Sequence, residues 1–521
     1  METLATGRSG LGGSGGGPPA LDPQSMDVYV QESMWEAVFP LLDQHFFQLV
    51  PGHLYEQFLD HVLCALEVAG HYDYVGKQLM QYIILFFPKH TRRFRAQRYV
   101  DRVLMPTISC LIKCSQIEEL YLEKADSPAI TTYLLAHILK FMNRLRVLAL
   151  PKQCDDDVAS IVGINCPKLE SVVLTGTAIT NGCTVQQINC PKLESVVLTG
   201  TAITNVGLSW LLCCRKLHTI IMQGFFQGVS PKGVALLLNG LPGLRHVIYD
   251  VMSDVLTYID FNTCEAVFPQ FSLKTMLFHS MELLSSNHLE LVTKLCPQIE
   301  WLSLDSALFY NLEGLGLLPR MRLLRLNYKS RPVDQTVVDF VSLNGHNIVT
   351  LHLLEVKDLS LEDLYLTIGQ CLNLETLVLC DCSVKPDWDQ PVRYNRQSPL
   401  STSVDHLQLF SLQILPGQLV NFIALFRDLQ ILETDRCELD LNQIKCVLLD
   451  QNELHTFRCT QWSHTSAQNL TNLQMAFRNC KLQMDRQEFA FEEDFNQTMA
   501  ATLLSEYAGF SPLVNFDTIS T

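Results

Sequence analysis

Apolar residues recur along this chain in one short figure: an apolar residue, two variable positions, a second apolar residue, one variable position, a third. The figure begins at Ile117, Leu145, Leu169, Leu193, Leu217, Leu244, Leu273, Ile299, Met321, Ile348, Leu374, Val404, Leu429 and Leu454, fourteen copies spaced 22 to 30 residues apart. Its weakest copies carry Tyr249, Thr434 and Cys459 at the last apolar position. Alternation over the final residues of each copy predicts a short strand. The stretches between copies, such as NVGLSWLLCCRK (205–216) and LELVTKLCPQ (289–298), are apolar at three- and four-residue spacing and predict helices. Asn205, and Ser230 followed by Pro231, are the residue types that start such helices.

Residues 164–181 and 188–205 are the same 18-residue text, INCPKLESVVLTGTAITN, offset by 24. A period of that size is one unit of a leucine-rich repeat. One strand with one helix cannot bury its apolar edge, whereas stacked units bury a continuous core. The predicted fold is therefore α/β, a leucine-rich repeat solenoid: a horseshoe with a concave parallel sheet and convex helices. About 14 units over residues 117–480, at ~4.8 Å per strand, give a sheet roughly 60–65 Å along its arc. The twin copies agree even at Lys168/Lys192 and Glu170/Glu194, but the text after them differs. Gly182, Thr184 and Gln187 stand where the second copy has Val206, Leu208 and Leu211. The third unit should keep a regular strand and have a poorly packed back.

Outside the array, residues 1–25 form a Gly/Ser/Pro-rich leader without an apolar signal region. Residues 26–116 lack the figure and are apolar at helical spacing, which predicts an all-helical block able to cap the first unit. Residues 89–99 (KHTRRFRAQRY) are the densest basic stretch, read either as a solvated face and internal partner for carboxylates or as a contact for an anionic partner. Residues 383–403 lengthen one unit with a Pro-rich loop, and 481–521 read as a C-terminal cap and tail.

The formal charge of −16 argues against bulk nucleic-acid binding. No apolar run approaches the ~18 residues a transmembrane helix needs, so no membrane span is expected. Of the 18 cysteines, Cys114, Cys166, Cys190, Cys214, Cys296 and Cys371 stand three residues before the first apolar position of a copy. A recurring place of that kind is a small buried packing slot, which free cysteine fills well. The chain reads as a reduced intracellular protein, cytoplasmic and also nuclear.

The residues Cys190, Pro191, Leu193, Val196, Leu198, Ile203, Thr204, Gly207, Leu208 and Leu211 resemble the cysteine-containing leucine-rich repeat of F-box proteins, which serve as substrate receptors in cullin-type ubiquitin ligases. The resemblance is specific over about 145–222 and looser beyond. It implies a protein target on the concave face and a ligase adaptor held by the helical block over 50–63. Val50, Pro51, Leu54 and Phe58 match the spacing of an F-box start, with Pro51, Leu54 and Phe58 as the ligase-linker contact. Val50 replaces the usual leucine, and the downstream Val-Cys-x-x-Trp-like segment has no counterpart. The block as a plain cap, in an adaptor with no ligase link, stands beside that reading.

The variable residue between the last two apolar positions of each copy should face the concave side. Val173, Val197, Ile221, Ile248 and Leu277 make this column aliphatic over five units, with Trp301 on the flanking column and Arg325 and His352 following. Exposed, such a column would be a protein-binding strip; β-branched strand preference or a covering tail would also account for it. No phosphate-loop or zinc-ligand spacing is present: Cys213-Cys214 and Cys380-x-Cys382 lack a second close pair. Asp155-Asp156-Asp157 reads as the acidic start of a helix. The expectation is a non-catalytic protein without cofactor or metal.

Overall fold

The computed structural model describes residues 91–485 apart from 97–107, 109–110, 124–129, 181–189, 225–227, 263–268, 280–281, 283, 306–311, 313, 333–334, 386–402, 427, 438–453 and 461–480. The leader, the predicted helical block through residue 90 (with Pro51, Leu54 and Phe58), the Pro-rich loop from 386 and the C-terminal tail from 486 lie outside the described residues.

Every copy of the apolar figure forms a strand two residues after its first apolar position. In chain order the described strands are β1 (Arg93–Arg95), β2 (Glu119–Tyr121), β3 (Val147–Ala149), β4 (Ser171–Val173), β5 (Ser195–Val197), β6 (Thr219–Met222), β7 (His246–Tyr249), β8 (Thr275–Phe278), β9 (Trp301–Leu304), β10 (Leu323–Arg331), β11 (Thr350–Val356), β12 (Thr376–Cys380), β13 (His406–Phe410), β14 (Ile431–Asp435), β15 (Thr456–Thr460) and β16 (Lys481–Asp485). They form one parallel sheet in sequential order, each strand bonded to the next in the chain. Helices α1 (Thr132–Leu139), α2 (Asp156–Asn165), α3 (Asn205–Trp210), α4 (Pro231–Gly240), α5 (Met252–Asn262), α6 (Ser286–Leu295), α7 (Gln335–Asn344), α8 (Leu361–Gln370) and α9 (Pro416–Ile423) connect them. This is an α/β leucine-rich repeat solenoid. No helix of the described residues is long and apolar enough to cross a membrane.

The sheet starts before the fourteen copies and ends after them. β1 lies inside the stretch read as all-helical, because Arg93-Phe94-Arg95 offers a single apolar residue, buried Phe94, to mark a strand. The neighbouring arginines reach carboxylates of the next unit: Arg93 Nε lies 2.8 Å from Glu119 Oε1 and Arg92 Nη1 3.9 Å from Glu118 Oε1. Part of the basic stretch is thus an internal partner.

Local chemistry joins the units. The Asp155 carboxylate accepts from Val158 N–H and caps α2, while Asp156 Oδ1 accepts from Thr180 N–H, 2.7 Å, across to the next unit. Helix α3 begins one residue earlier than its sequence signal implies: Thr204 caps it, accepting from Val206 N–H. Asn205 instead reaches the next unit, donating to Ser230 Oγ and accepting from Ser230 N–H. All six slot cysteines are buried. Burial, the largest cause, pushes the thiols of Cys166, Cys190, Cys296 and Cys371 up to about 12, so they act as small apolar groups rather than nucleophiles.

Seven strands also end alike. The fifth residue after the first strand residue has positive φ at Gly176 (67°), Gly200 (68°), Gly224 (86°), Glu355 (51°), Asp381 (51°), Ser411 (48°) and Arg436 (50°). That turn lets the same residue donate onward to the next unit, as in Gly176 N–H to Thr199 O and Ser411 N–H to Asp435 O, both 2.8 Å. The later units accept the cost of a side chain in a conformation that favours glycine.

The strands of the twin units are described, while the segment between them that was expected to pack poorly, 181–189, lies outside the described residues. β4 and β5 pair residue for residue, Ser171 with Ser195 and Val173 with Val197. Between α2 and α3 lies an apolar cavity of about 60 Å³, lined by Leu150, Val162, Leu174, Ile179, Leu198 and Trp210 among others. At ~24 cal/mol per Å³ it costs roughly 1–2 kcal/mol. Deleting residues 164–187 joins Gly163 to Ile188, restores the same following text, and brings α2 against α3. The shortened protein is expected to be folded and monodisperse, with a melting temperature within about 4 °C of the full chain. Circular dichroism with size-exclusion chromatography checks this; loss of helical signal or aggregation would contradict the account.

Candidate binding surface

Alternation along each strand sends its second and fourth residues toward the helices and its first and third to the opposite, inner face. The cavity lining illustrates the division: Val172, Leu174, Val196 and Leu198 meet helix residues Ala159, Val162 and Leu211. Val173 and Val197 therefore point inward.

The inner face is not uniformly open. Val173, Val197, Ile221, Ile248 and Leu277 are at most 2 % exposed. The adjoining row, Ser171, Ser195, Thr219, His246 and Thr275, is closed to the same degree. The expectation of an exposed aliphatic strip is corrected on this point. The Ser171 and Ser195 hydroxyls in this row are buried and have no protein hydrogen-bond partner among the described residues. Burial, the largest cause, holds His246 down at about 3, so its ring is neutral, and its Nδ1 lies 2.8 Å from Thr275 Oγ1.

From β9 onward the face is reachable. Trp301, Leu323, Thr350, Thr376, His406, Ile431 and Thr456, the first residues of seven successive strands, are partly exposed. So are His352, Gln408, Glu433 and Arg458 in the third position. Arg325 is buried, with Nη1 4.0 Å from Asp305 Oδ2. Val378 is also buried, clustered with Leu354, Cys380 and Phe410 on the same face. Of the eight inner-face residues named from sequence, Trp301 and His352 are accessible and six are not. His406, Gln408, Glu433 and Arg458 are accessible but were not singled out, because a polar residue on a strand face carries no pattern of its own.

Polar groups here are organised across strands. Lys329 Nζ bridges Asp305 Oδ1 (3.3 Å) and Glu355 Oε1 (3.1 Å), and Asn327 Nδ2 donates to the same Glu355 oxygen. Glu433 accepts from Gln408 Nε2 at 2.7 Å and Arg458 Nη1 at 3.0 Å, with His406 Nε2 3.7 Å away. The neighbouring His406 ring, opposed by burial, holds the Glu433 carboxyl below its usual range. Burial and then Arg325 hold His352 down at about 3, leaving it neutral. Three of the four cysteines in Cys213-Cys214 and Cys380-x-Cys382 are buried: Cys382 Sγ contacts Leu353 O at 3.4 Å, Cys380 lies beside it and Cys214 fills its slot, whereas Cys213 is exposed.

Residues just before the strands form a charged row along one sheet edge. Arg146 pairs with Glu170 (2.7 Å) and Lys274 with Glu300 (2.6 Å), while His218, held neutral chiefly by burial, lies 3.7 Å from Glu194. Beside this row lies an open depression of about 540 Å³ lined by Arg320, Arg322, His346, Asn347, Asn373 and Glu375 among others; its lining residues Glu300 and Arg322 immediately precede Trp301 and Leu323 in the chain.

No protein-family model matches the sequence, and no curated protein matches it. Similar solved structures include an internalin (inlF) from Listeria monocytogenes, 14 % identical over 68 % of this chain and 83 % of that one, TM-score 0.35. A TLR13–ssRNA13 complex is 12 % identical over 75 % and 63 %, TM-score 0.31. The Toll–Spatzle complex of Drosophila is 14 % identical over 68 % and 42 %, TM-score 0.33.

Because the Glu433 carboxyl is lowered in the folded protein, its stabilisation is present above the ordinary value of 4.5 and is lost as pH falls through the lower folded value. Glu433→Gln is expected to cost about 1 kcal/mol at neutral pH, since the group is half-buried and multiply bonded. Denaturant titrations should show the gap to wild type closing below pH ~4. A gap that widens on acidification would contradict the assignment.

Proposed function

We propose that this chain is a non-catalytic protein-interaction scaffold that receives a protein partner on the inner face over β9–β15. The observation that carries the reading is the continuous run of reachable aromatic, aliphatic and hydrogen-bonding side chains on seven neighbouring strands. At ~4.8 Å per strand it spans roughly 29 Å, enough for eight or nine residues of an extended chain. A stacked sheet holds these groups at fixed spacing, so binding does not require ordering them first. The apolar column from Val173 to Leu277 takes part only in a state where it is uncovered.

The finer reading is a substrate-recognition subunit of a ubiquitin ligase, resembling the F-box/leucine-rich repeat type. What supports it is the cysteine-containing repeat text and the position of Pro51, Leu54 and Phe58 ahead of the array. It is a cytoplasmic and nuclear role, consistent with buried thiols that need no disulfides. The alternative, an adaptor with no ligase link, keeps the same inner-face site and leaves the N-terminal block as a cap.

Affinity purification of the tagged full chain separates the two. Recovery of a cullin complex, lost in the double variant Pro51→Ala/Leu54→Ala with other partners retained, is the result expected of the ligase reading. Partners recovered with no ligase subunit would overturn it in favour of the adaptor.

A further inference from the structure

The charged row along the strand starts is nearly self-neutralising. Arg92 and Arg93 are taken by Glu118 and Glu119, Arg146 by Glu170, and Lys274 by Glu300. Each such pair sets one unit's cation beside the next unit's carboxylate, as directly opposed charges on neighbouring strands do. The pattern is interrupted at Arg245, which stands between His218 and Lys274, and stops at β10. Arg322 has Glu300 on one side, already held by Lys274, and Val349 on the other. Arg320 and Arg322 are exposed and make no ion pair among the described residues. Arg245 is also without one but does not line the depression, whereas Arg320 and Arg322 both do.

The depression is shaped by bonds that do not involve these arginines. Asn373 Nδ2 donates to His346 O at 2.6 Å, and Asn347 Nδ2 lies 3.0 Å from His346 Nε2. On the inner-face side, Trp301 and Leu323 stand directly opposite each other across β9 and β10, each one residue after Glu300 and Arg322. At the far end Glu375, exposed and also without an ion pair among the described residues, lies two strands away, roughly 10 Å at the spacing of a parallel sheet. The depression thus offers unpaired positive charge one residue away from an apolar pair on the adjoining inner face, and unpaired negative charge farther along.

We infer that this edge selects the protein partner: it takes a segment with one acidic residue next to an aliphatic or aromatic one. The carboxylate meets Arg320 and Arg322, and the apolar side chain lies on Trp301 and Leu323. Glu375 rejects a second acidic residue toward β12, so an evenly acidic tract is a poor fit. The inference rests on the proposed inner-face partner and adds its chemistry. The net charge of −16 does not oppose it, since at physiological ionic strength charges beyond ~8 Å are largely screened. Exposed pairs contribute little affinity, so the arginines act mainly in choosing the partner.

The test places the photo-crosslinker p-benzoylphenylalanine in the full chain at Asn347, in the depression, and separately at Gln408, on the inner face, and sequences the captured peptides. The expected result is crosslinking from both positions, with Asn347 peptides carrying Asp or Glu beside an apolar residue. The exposed double change Arg320→Glu/Arg322→Glu, shown to be folded by circular dichroism, should then reduce Asn347 capture about tenfold. Exchanging the captured peptide's acid for Lys should restore capture in that variant. Capture from Gln408 with none from Asn347, or Asn347 peptides that lack an acid or ignore the charge reversal, overturns this inference and leaves the partner site standing. Capture from neither position overturns both.

Discussion

One backbone arrangement organises the whole array. The carbonyl of the residue before each strand accepts two N–H groups from the next unit, one from the residue before its strand and one from the strand's first residue. Arg92 O receives Glu118 and Glu119, Glu118 O receives Arg146 and Val147, and the pattern continues unbroken to Gln430 O, which receives His455 and Thr456. Units of different length therefore meet in the same register, because only the strand start is fixed. Length differences are absorbed in the helix and loop that follow. No unit can satisfy these groups alone, so order in each depends on its neighbours.

The register decides where chemistry can occur. It stacks every third strand residue into one inward row and every preceding residue into one edge row. A row of identical character is then a surface property rather than a residue property. The third-position row is closed from β4 to β10 and again at Val378 in β12, and partly exposed at His352, Gln408, Glu433 and Arg458. The first-position row is closed from β4 to β8 and partly exposed from β9 to β15. The edge row is paired where an acid stands beside a base, and unpaired at Arg245, between His218 and Lys274, and at Arg322, where Val349 stands in place of a second acid. The positive-φ turn after the strands belongs to the same constraint: glycine supplies it in β4 to β6, and Glu355, Asp381, Ser411 and Arg436 supply it later. Those later units keep side chains at a position where glycine would cost less.

The repeat was legible in the sequence because its signal is multiplied: fourteen copies of three apolar residues leave little freedom in frame. β1 was hidden, since a strand at the end of an array has one neighbour and Arg93-Phe94-Arg95 shows only one buried residue. The slot cysteines and the acidic start of α2 were readable from position and residue type. Exposure of the inner face was not. Whether Val173 and its column meet solvent depends on what lies over the sheet, and strand alternation reports direction without reporting cover. Trp301 and His352 were found because their residue types stand out. His406, Gln408, Glu433 and Arg458 gain meaning only when neighbouring strands bring Glu433 within reach of three partners. Arg322 was invisible as a candidate, because an unpaired arginine differs from a paired one only by its neighbour one unit away.

The division of the inner face into a closed half and a reachable half is the claim on which the functional reading stands. Hydroxyl-radical footprinting tests it most directly, comparing one residue type along one sheet. His246 is 2 % exposed at the first position of β7, whereas His406 is partly exposed at the same position of β13. The account predicts oxidation of His406 in the native protein, with His246 protected until the protein unfolds. Equal oxidation of both histidines under native conditions would contradict it.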